Sequence, residues 1–167
     1  MGYTTDFRGQ FNLDKPLTQE HKSYLELFAR TRRMKRSADA AEKLDDPIRI
    51  AAGLPIGDEG AYFVGATDEF GQDTQRKDKS VLDHNEPPAG QPSLWCQWIP
   101  NCDGTAIEWD GGEKFYEYTT WIKYIIENFL KPWGYVLSGE VEWRGESWDD
   151  RGFIIVEENK VRETTKA

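Results

Sequence analysis

The chain has 167 residues, a formal net charge of −9, 38% apolar residues and 13% aromatics. That length fits a single domain over residues 1–167, which buries roughly 70% of its unfolded surface without staples. The acidic balance argues against binding duplex nucleic acid by phosphate neutralisation. No apolar run approaches the roughly 18 residues of a membrane span, and the opening MGYTTDFRGQF lacks the apolar centre of a secretory leader. The expectation is therefore a cytoplasmic protein that engages neither membrane nor duplex. The two cysteines, Cys96 and Cys102, would close only a very short loop, so both are read as reduced thiols.

In chain order, Tyr3 to Leu13 alternates as a first strand. Tyr3, Thr5, Phe7, Gly9, Phe11 and Leu13 share one parity, with polar residues on the other. Thr18 is a good N-cap for a helix running to about Arg33, whose buried stripe is His21, Tyr24, Leu25 and Phe28. ARTRRMKR, Ala29 to Arg36, ends that helix with five basic residues. Cations suit a helix C-terminus, and paired guanidinium groups also suit a phosphate. Short helices follow near Asp39 to Leu44 and after Asp46-Pro47, and Ala61 to Gly65 (AYFVG) reads as a short strand. Residues 66–93 read as one long irregular loop containing His84.

The densest stretch is Leu94 to Tyr135, which holds five of the seven tryptophans. Leu94 to Ile99 predicts a strand, Pro100 to Gly104 a turn, and Thr105 to Asp110 a second strand, together a hairpin with aromatic cross-strand pairs. After Gly111-Gly112, the residues Phe115, Tyr118, Ile122, Ile125, Ile126 and Phe129 fall in one helical arc, which Pro132 and Gly134 terminate. Tyr135 to Trp143 alternates again, Gly145 to Arg151 is a polar turn, and Phe153 to Val156 is apolar on both parities. Residues after about Val161 are expected to fray. The fold class implied is α+β: a mixed, mostly antiparallel sheet of five or six strands, with the two main helices packed on one face.

The blocks WCQW (Trp95 to Trp98), DGTAIEWDGGEKFY (Asp103 to Tyr116), KPWGY (Lys131 to Tyr135) and GEVEWRGE (Gly139 to Glu146), with the opening GYTTDFRGQF, resemble a family of small uncharacterised proteins from bacteria and their phages. The resemblance runs from Gly2 to Val161. The family carries no assigned chemistry, so no site residue is transferred. What it implies is a cytoplasmic accessory protein of a phage or other mobile element.

Three constellations bear on function. The first is acidic: Glu108 and Asp110 share one parity of their strand, and Glu140 and Glu142 share one parity of theirs. Were the two strands neighbours, four carboxylates on one face could hold Mg²⁺ for phosphate hydrolysis; otherwise they are the wet face of an acidic sheet. The second is aromatic: Trp95 and Trp109 with Gln97, and Arg32 or Arg33 nearby, would form a slot for a nucleobase and its phosphate, or else these indoles pack the core. Trp148, on a predicted turn, hints at a contact surface. The third is nucleophilic and weak, since Cys96 lies inside a strand and neither histidine is well placed. The sequence therefore predicts a non-enzymatic binding protein without a cofactor. It would take a small anionic, nucleotide-like ligand through Trp95, Gln97, Trp109, Arg32 and Arg33, or dock on and inhibit a protein partner. The alternative is a Mg²⁺-dependent nucleotide or phosphodiester hydrolase using Glu108, Asp110, Glu140 and Glu142.

Overall fold

The computed structural model describes residues 2–65 and 79–165. In chain order the elements are β1 (Asp6–Leu13), α1 (Gln19–Arg30), β2 (Lys35–Arg36), α2 (Ala38–Glu42), α3 (Pro47–Ala51), β3 (Val81–Asp83), β4 (Trp98–Pro100), β5 (Ala106–Trp109), α4 (Tyr118–Ile125) continuing through a π turn (Ile126–Leu130) into α5 (Lys131–Trp133), β6 (Leu137–Arg144), β7 (Arg151–Glu157) and β8 (Lys160–Thr165). They cluster into two compact units: one from the residues up to Leu17 together with Gln97 onward, the other Thr18–Cys96.

The first unit is a six-stranded sheet in the order β4-β5-β1-β6-β7-β8. The α+β class holds, and every pairing in this sheet is antiparallel, none of it mixed. The alternation in Tyr3 to Leu13 sets the register: β1 pairs with β6 from Asp6↔Arg144 to Leu13↔Leu137 without a slip. Two glycines let these strands approach. A Cβ on Gly9 (φ +102°) would lie 2.8 Å from the Glu140 carbonyl oxygen, and one on Gly139 would lie 2.8 Å from that of Gln10.

One face of the sheet is apolar. Phe7, Phe11, Trp98, Ile107, Val141, Trp143, Ile154 and Val156 are all buried there. The predicted helical arc is buried as well, with Ile122, Ile125 and Phe129 at 2% exposure or less. Tyr118, at the start of α4, packs its ring 5.0 Å from Phe7 and 6.0 Å from Trp143, which seats the helix on the apolar face. Of the two helices expected over the sheet, α4 belongs to this unit and α1 to the other.

The helix differs from its sequence reading at both ends. It starts at Tyr118 rather than Phe115, because Lys114 and Glu117 take left-handed backbone (φ 58° and 59°) and block an earlier turn. Near its end it widens into the π turn, whose Lys131 N–H donates to the Ile126 carbonyl. A regular helix would drive the Pro132 ring into the Asn128 carbonyl, and the extra residue in the turn relieves that clash. Gly134 (φ 89°) then reverses the chain.

Residues 162–165, where fraying was expected, continue as a strand. β8 pairs with β7 as far as Thr165↔Gly152. Glu158 and Asn159 (φ 48° and 70°) make the two-residue turn that matches strand twist. The Asn159 side chain fixes that turn, accepting from the Leu137 N–H at 2.7 Å and donating to the Tyr135 carbonyl at 3.1 Å. The strand expected from Leu94 begins only at Trp98, although the Asp110 N–H still reaches the Gln97 carbonyl at 3.0 Å.

Burial pushes the Tyr118 hydroxyl up to about 12, with the Glu163 and Asp150 carboxylates adding to it. A raised tyrosine pKa makes the folded state hold its proton longer than the unfolded chain. Stability is therefore complete below pH 10 and falls as pH rises towards 12. Chemical denaturation at pH 9 and pH 11 should show a loss of about 1 kcal/mol that Tyr118→Phe removes.

In the second unit α1 matches its signals. The Thr18 hydroxyl accepts from the His21 N–H, and Tyr24, Leu25 and Phe28 are buried. His21 sits at the stripe's edge, where burial lowers its pKa. The helix stops at Arg30, three residues before the expected Arg33, because Thr31 turns extended (ψ 124°). Ala61 to Gly65 is not a strand. Side chains satisfy its backbone instead: Arg33 donates to the Ala61 and Phe63 carbonyls, the Tyr24 hydroxyl donates to the Tyr62 carbonyl, and the Val64 and Gly65 N–H groups donate to the Asp46 carboxylate. Asp46 is buried and also pairs with Arg49 at 2.6 Å. Part of the expected loop is ordered, since β3 pairs antiparallel with β2, a strand pair the sequence reading missed. Residues 66–78 of that loop lie outside the described residues.

Candidate functional site

The five residues expected to bind a ligand divide between the units. Trp95, Arg32 and Arg33 belong to Thr18–Cys96, and Gln97 and Trp109 belong to the sheet unit. Gln97 and Trp109 do meet. The Trp109 indole N–H donates to the Gln97 Oε1 at 3.1 Å, and the Gln97 Nε2 donates to the Glu113 carbonyl at 2.9 Å. The amide is thus occupied in fixing the hairpin to the loop before α4. Trp95 is half-buried, and its carbonyl accepts from the Ser93 hydroxyl.

The arginines are turned to structural use. Arg33 is 2% exposed, lies 4.1 Å over the Phe28 ring, and donates to the carbonyls of Ala61 and Phe63 and to Gln91 Oε1. This corrects the expectation of an exposed guanidinium at the helix end: the chain leaves α1 before Arg33, which then points inward. Arg32 donates to the His84 carbonyl at 2.8 Å and to Asn85 Oδ1 at 3.1 Å.

The carboxylates of the alternative reading do not assemble. β1 lies between β5 and β6, so the condition that made Glu108 and Glu140 neighbours fails. At roughly 4.8 Å per strand spacing the two are roughly 10 Å apart across the sheet. Gln10 faces Glu140 and Arg8 faces Glu142 in between. Asp110 lies beyond the end of β5, where its Oδ1 accepts from the Gly112 N–H and partial desolvation raises its pKa. Among the described residues no three acidic, histidine or cysteine side chains come close enough to hold a metal ion. Cys96 is buried and Cys102 exposed, both free thiols as expected.

Among the described residues the exposed large aromatics, Tyr3, Tyr116 and Trp148, lie at one end of the sheet. There β1 begins, β6 passes through the 145–150 turn into β7, and the loop before α4 returns. Trp148, on that turn, is 75% exposed, and the Arg151 guanidinium lies 4.5 Å over its ring. Tyr3 is exposed beside it. Its hydroxyl donates to the Asp150 carboxylate and accepts from the Glu146 N–H at 3.0 Å, and its own N–H donates to the Tyr116 hydroxyl at 3.2 Å. The Asp150 hydrogen bond raises the Tyr3 pKa, so the ring stays neutral. The turn is closed by Gly145 N–H to the Asp150 carbonyl at 2.7 Å and Asp150 N–H to that of Ser147 at 3.0 Å. Arg144 and Arg151 stand opposite each other at the ladder's end. The arrangement presents two tyrosines, a tryptophan and two guanidinium groups on a braced backbone. The sequence signal for Trp148 was its position in ESWDDRG. Tyr3, Tyr116 and Arg151 gave none, because only the folded chain brings residues this far apart together.

No family model, curated protein or solved structure matches the chain. Among the described residues no helix is long and apolar enough to cross a membrane.

Proposed function

We propose that this is a non-enzymatic binding protein that docks on a protein partner through the sheet end carrying Trp148, Tyr3, Tyr116 and Arg151. The supporting observation is Trp148, 75% exposed with a guanidinium stacked on it. An indole that wet buries little of its surface in the fold, and tryptophan, tyrosine and arginine are the residues that dominate binding energy at protein interfaces. The braced turn beneath them lowers the entropy lost on docking. Between the two forms of the binding hypothesis, the buried Arg33 favours a protein partner over a small anion, since that guanidinium does not face solvent. The resemblance adds an accessory role in a phage or mobile element, within which docking would serve to inhibit the partner.

A photo-crosslinking residue placed at Trp148 should give a discrete protein adduct in lysate of the native cell, while the same group at the exposed Glu42 should not. Against the partner so identified, Trp148→Ala should weaken binding roughly thirtyfold, the scale of a 2 kcal/mol hot spot. Equal binding by Trp148→Ala would overturn the assignment.

A further inference from the structure

A second surface lies at the far edge of the same sheet, independent of the aromatic end. β8 is the last strand in the order, and among the described residues no strand pairs with its outer side. Alternate residues of an antiparallel strand turn their N–H and C=O to opposite sides. Lys160 pairs with Glu157 across the two-residue turn, so Lys160, Arg162 and Thr164 bond inward to β7 while Val161, Glu163 and Thr165 present theirs outward.

Two clefts flank the start of this strand, one on each face of the sheet. On the helix side a cleft of about 380 Å³ is lined by Lys123, Ile126, Glu127, Lys131, Glu158, Lys160 and Val161. On the other side a cleft of about 560 Å³ is lined by Ser138, Glu157, Lys160 and Arg162, and also by Glu158 and Val161. We propose that the outer edge of β8 accepts an extended acidic segment of another protein as a seventh strand, its alternate side chains entering the two clefts. Backbone hydrogen bonds would supply affinity and the clefts selectivity, as in other strand-addition interfaces.

Charge selects the occupant. Arg162 is paired with Glu157 at 3.4 Å and Lys131 with Glu127 at 3.2 Å. Lys123 and Lys160 form no ion pair among the described residues, against one unpaired carboxylate in the same linings, Glu158, which leaves the helix-side cleft an excess of cation for an incoming carboxylate. A second copy of the chain fits poorly. Antiparallel β8–β8 registers centred on Val161, Arg162 or Glu163 put Lys160 against Arg162, Arg162 against itself, or Glu163 against itself, and like charges directly opposite destabilise a ladder.

The probe is a capped octapeptide of alternating valine and glutamate, with its lysine-for-glutamate counterpart as control. Calorimetric titration should show the glutamate peptide binding roughly tenfold more tightly than the lysine one. Amide exchange should slow at Val161, Glu163 and Thr165 and not on α4. Glu163→Pro removes one outward N–H without touching the β7–β8 ladder and should abolish binding, while Glu163→Gln should retain it. Failure of the glutamate peptide to bind, equal binding of the two peptides, protection elsewhere, or a concentration-dependent dimer in sedimentation would each overturn the proposal. None of these results bears on Trp148.

Discussion

Arg33→Met should destabilise the Thr18–Cys96 unit by about 2–6 kcal/mol, the scale for leaving two buried acceptors, the Phe63 carbonyl and Gln91 Oε1, without that donor. The guanidinium is 2% exposed and serves as donor to the Ala61 and Phe63 carbonyls and to Gln91 Oε1. Methionine matches much of its volume and can still lie on Phe28, so packing is largely kept. What is lost is the donor to the Phe63 carbonyl and to Gln91 Oε1, while the Ala61 carbonyl keeps the Gln91 Nε2 donor at 2.7 Å. Each orphaned buried acceptor costs about 1–3 kcal/mol. The segment those bonds hold, Ala61 to Val64, has no strand partner to fall back on. Arg33→Lys should lie between, because one ammonium cannot span two carbonyls and an amide. Denaturant unfolding gives the free energies, and amide exchange across residues 18–96 shows whether the loss is confined to that unit. A loss below about 1 kcal/mol would mean that solvent or another donor reaches those carbonyls.

The same arginine shows where the sequence stops being informative. Features that depend on near neighbours were readable. Phe7 and Phe11 fall on one parity and are buried, Ile122, Ile125 and Phe129 share a helical arc and are buried, and Thr18 caps α1. Features that depend on which distant backbone a side chain reaches were not. Arg33 in a basic run looks the same in sequence whether it faces water or the Ala61 carbonyl. Ala61 to Gly65 has strand composition, but its first three N–H groups close local turns onto Asp58, Ile56 and Gly60, and its other groups meet side chains such as Arg33, Tyr24 and Asp46. The carboxylate cluster failed for a topological reason: hairpin reasoning places β4 beside β5, yet nothing local tells that β1 inserts between β5 and β6. β8 was missed because KVRETT carries few apolar residues, as a charged edge strand should. The candidate site was legible only at Trp148. Tyr3 and Tyr116 join it through a sheet whose ends lie far apart in sequence.

Two tryptophans with opposite surroundings give the remaining test. Trp98 is 1% exposed, with ring centroids 5.4 Å from Phe7, 5.4 Å from Phe11 and 5.3 Å from Phe115, and its indole N–H donates to the Tyr118 carbonyl at 2.9 Å. Trp98→Ala should cost about 3–5 kcal/mol in the sheet unit, through lost burial, a cavity among edge-on rings and a broken tie between β4 and the first turn of α4. Trp98→Phe keeps the aromatic packing and should cost less, the hydrogen bond alone being worth about 1 kcal/mol. Trp148→Ala, by contrast, should leave stability within about 0.5 kcal/mol, since exposed side chains contribute little to folding. The pair therefore separates two uses of one residue type. If Trp148→Ala unfolds the protein as Trp98→Ala should, its indole serves the fold and the docking surface loses its chief support. If it leaves the melting curve in place while partner binding falls, the exposed ring is held for another molecule.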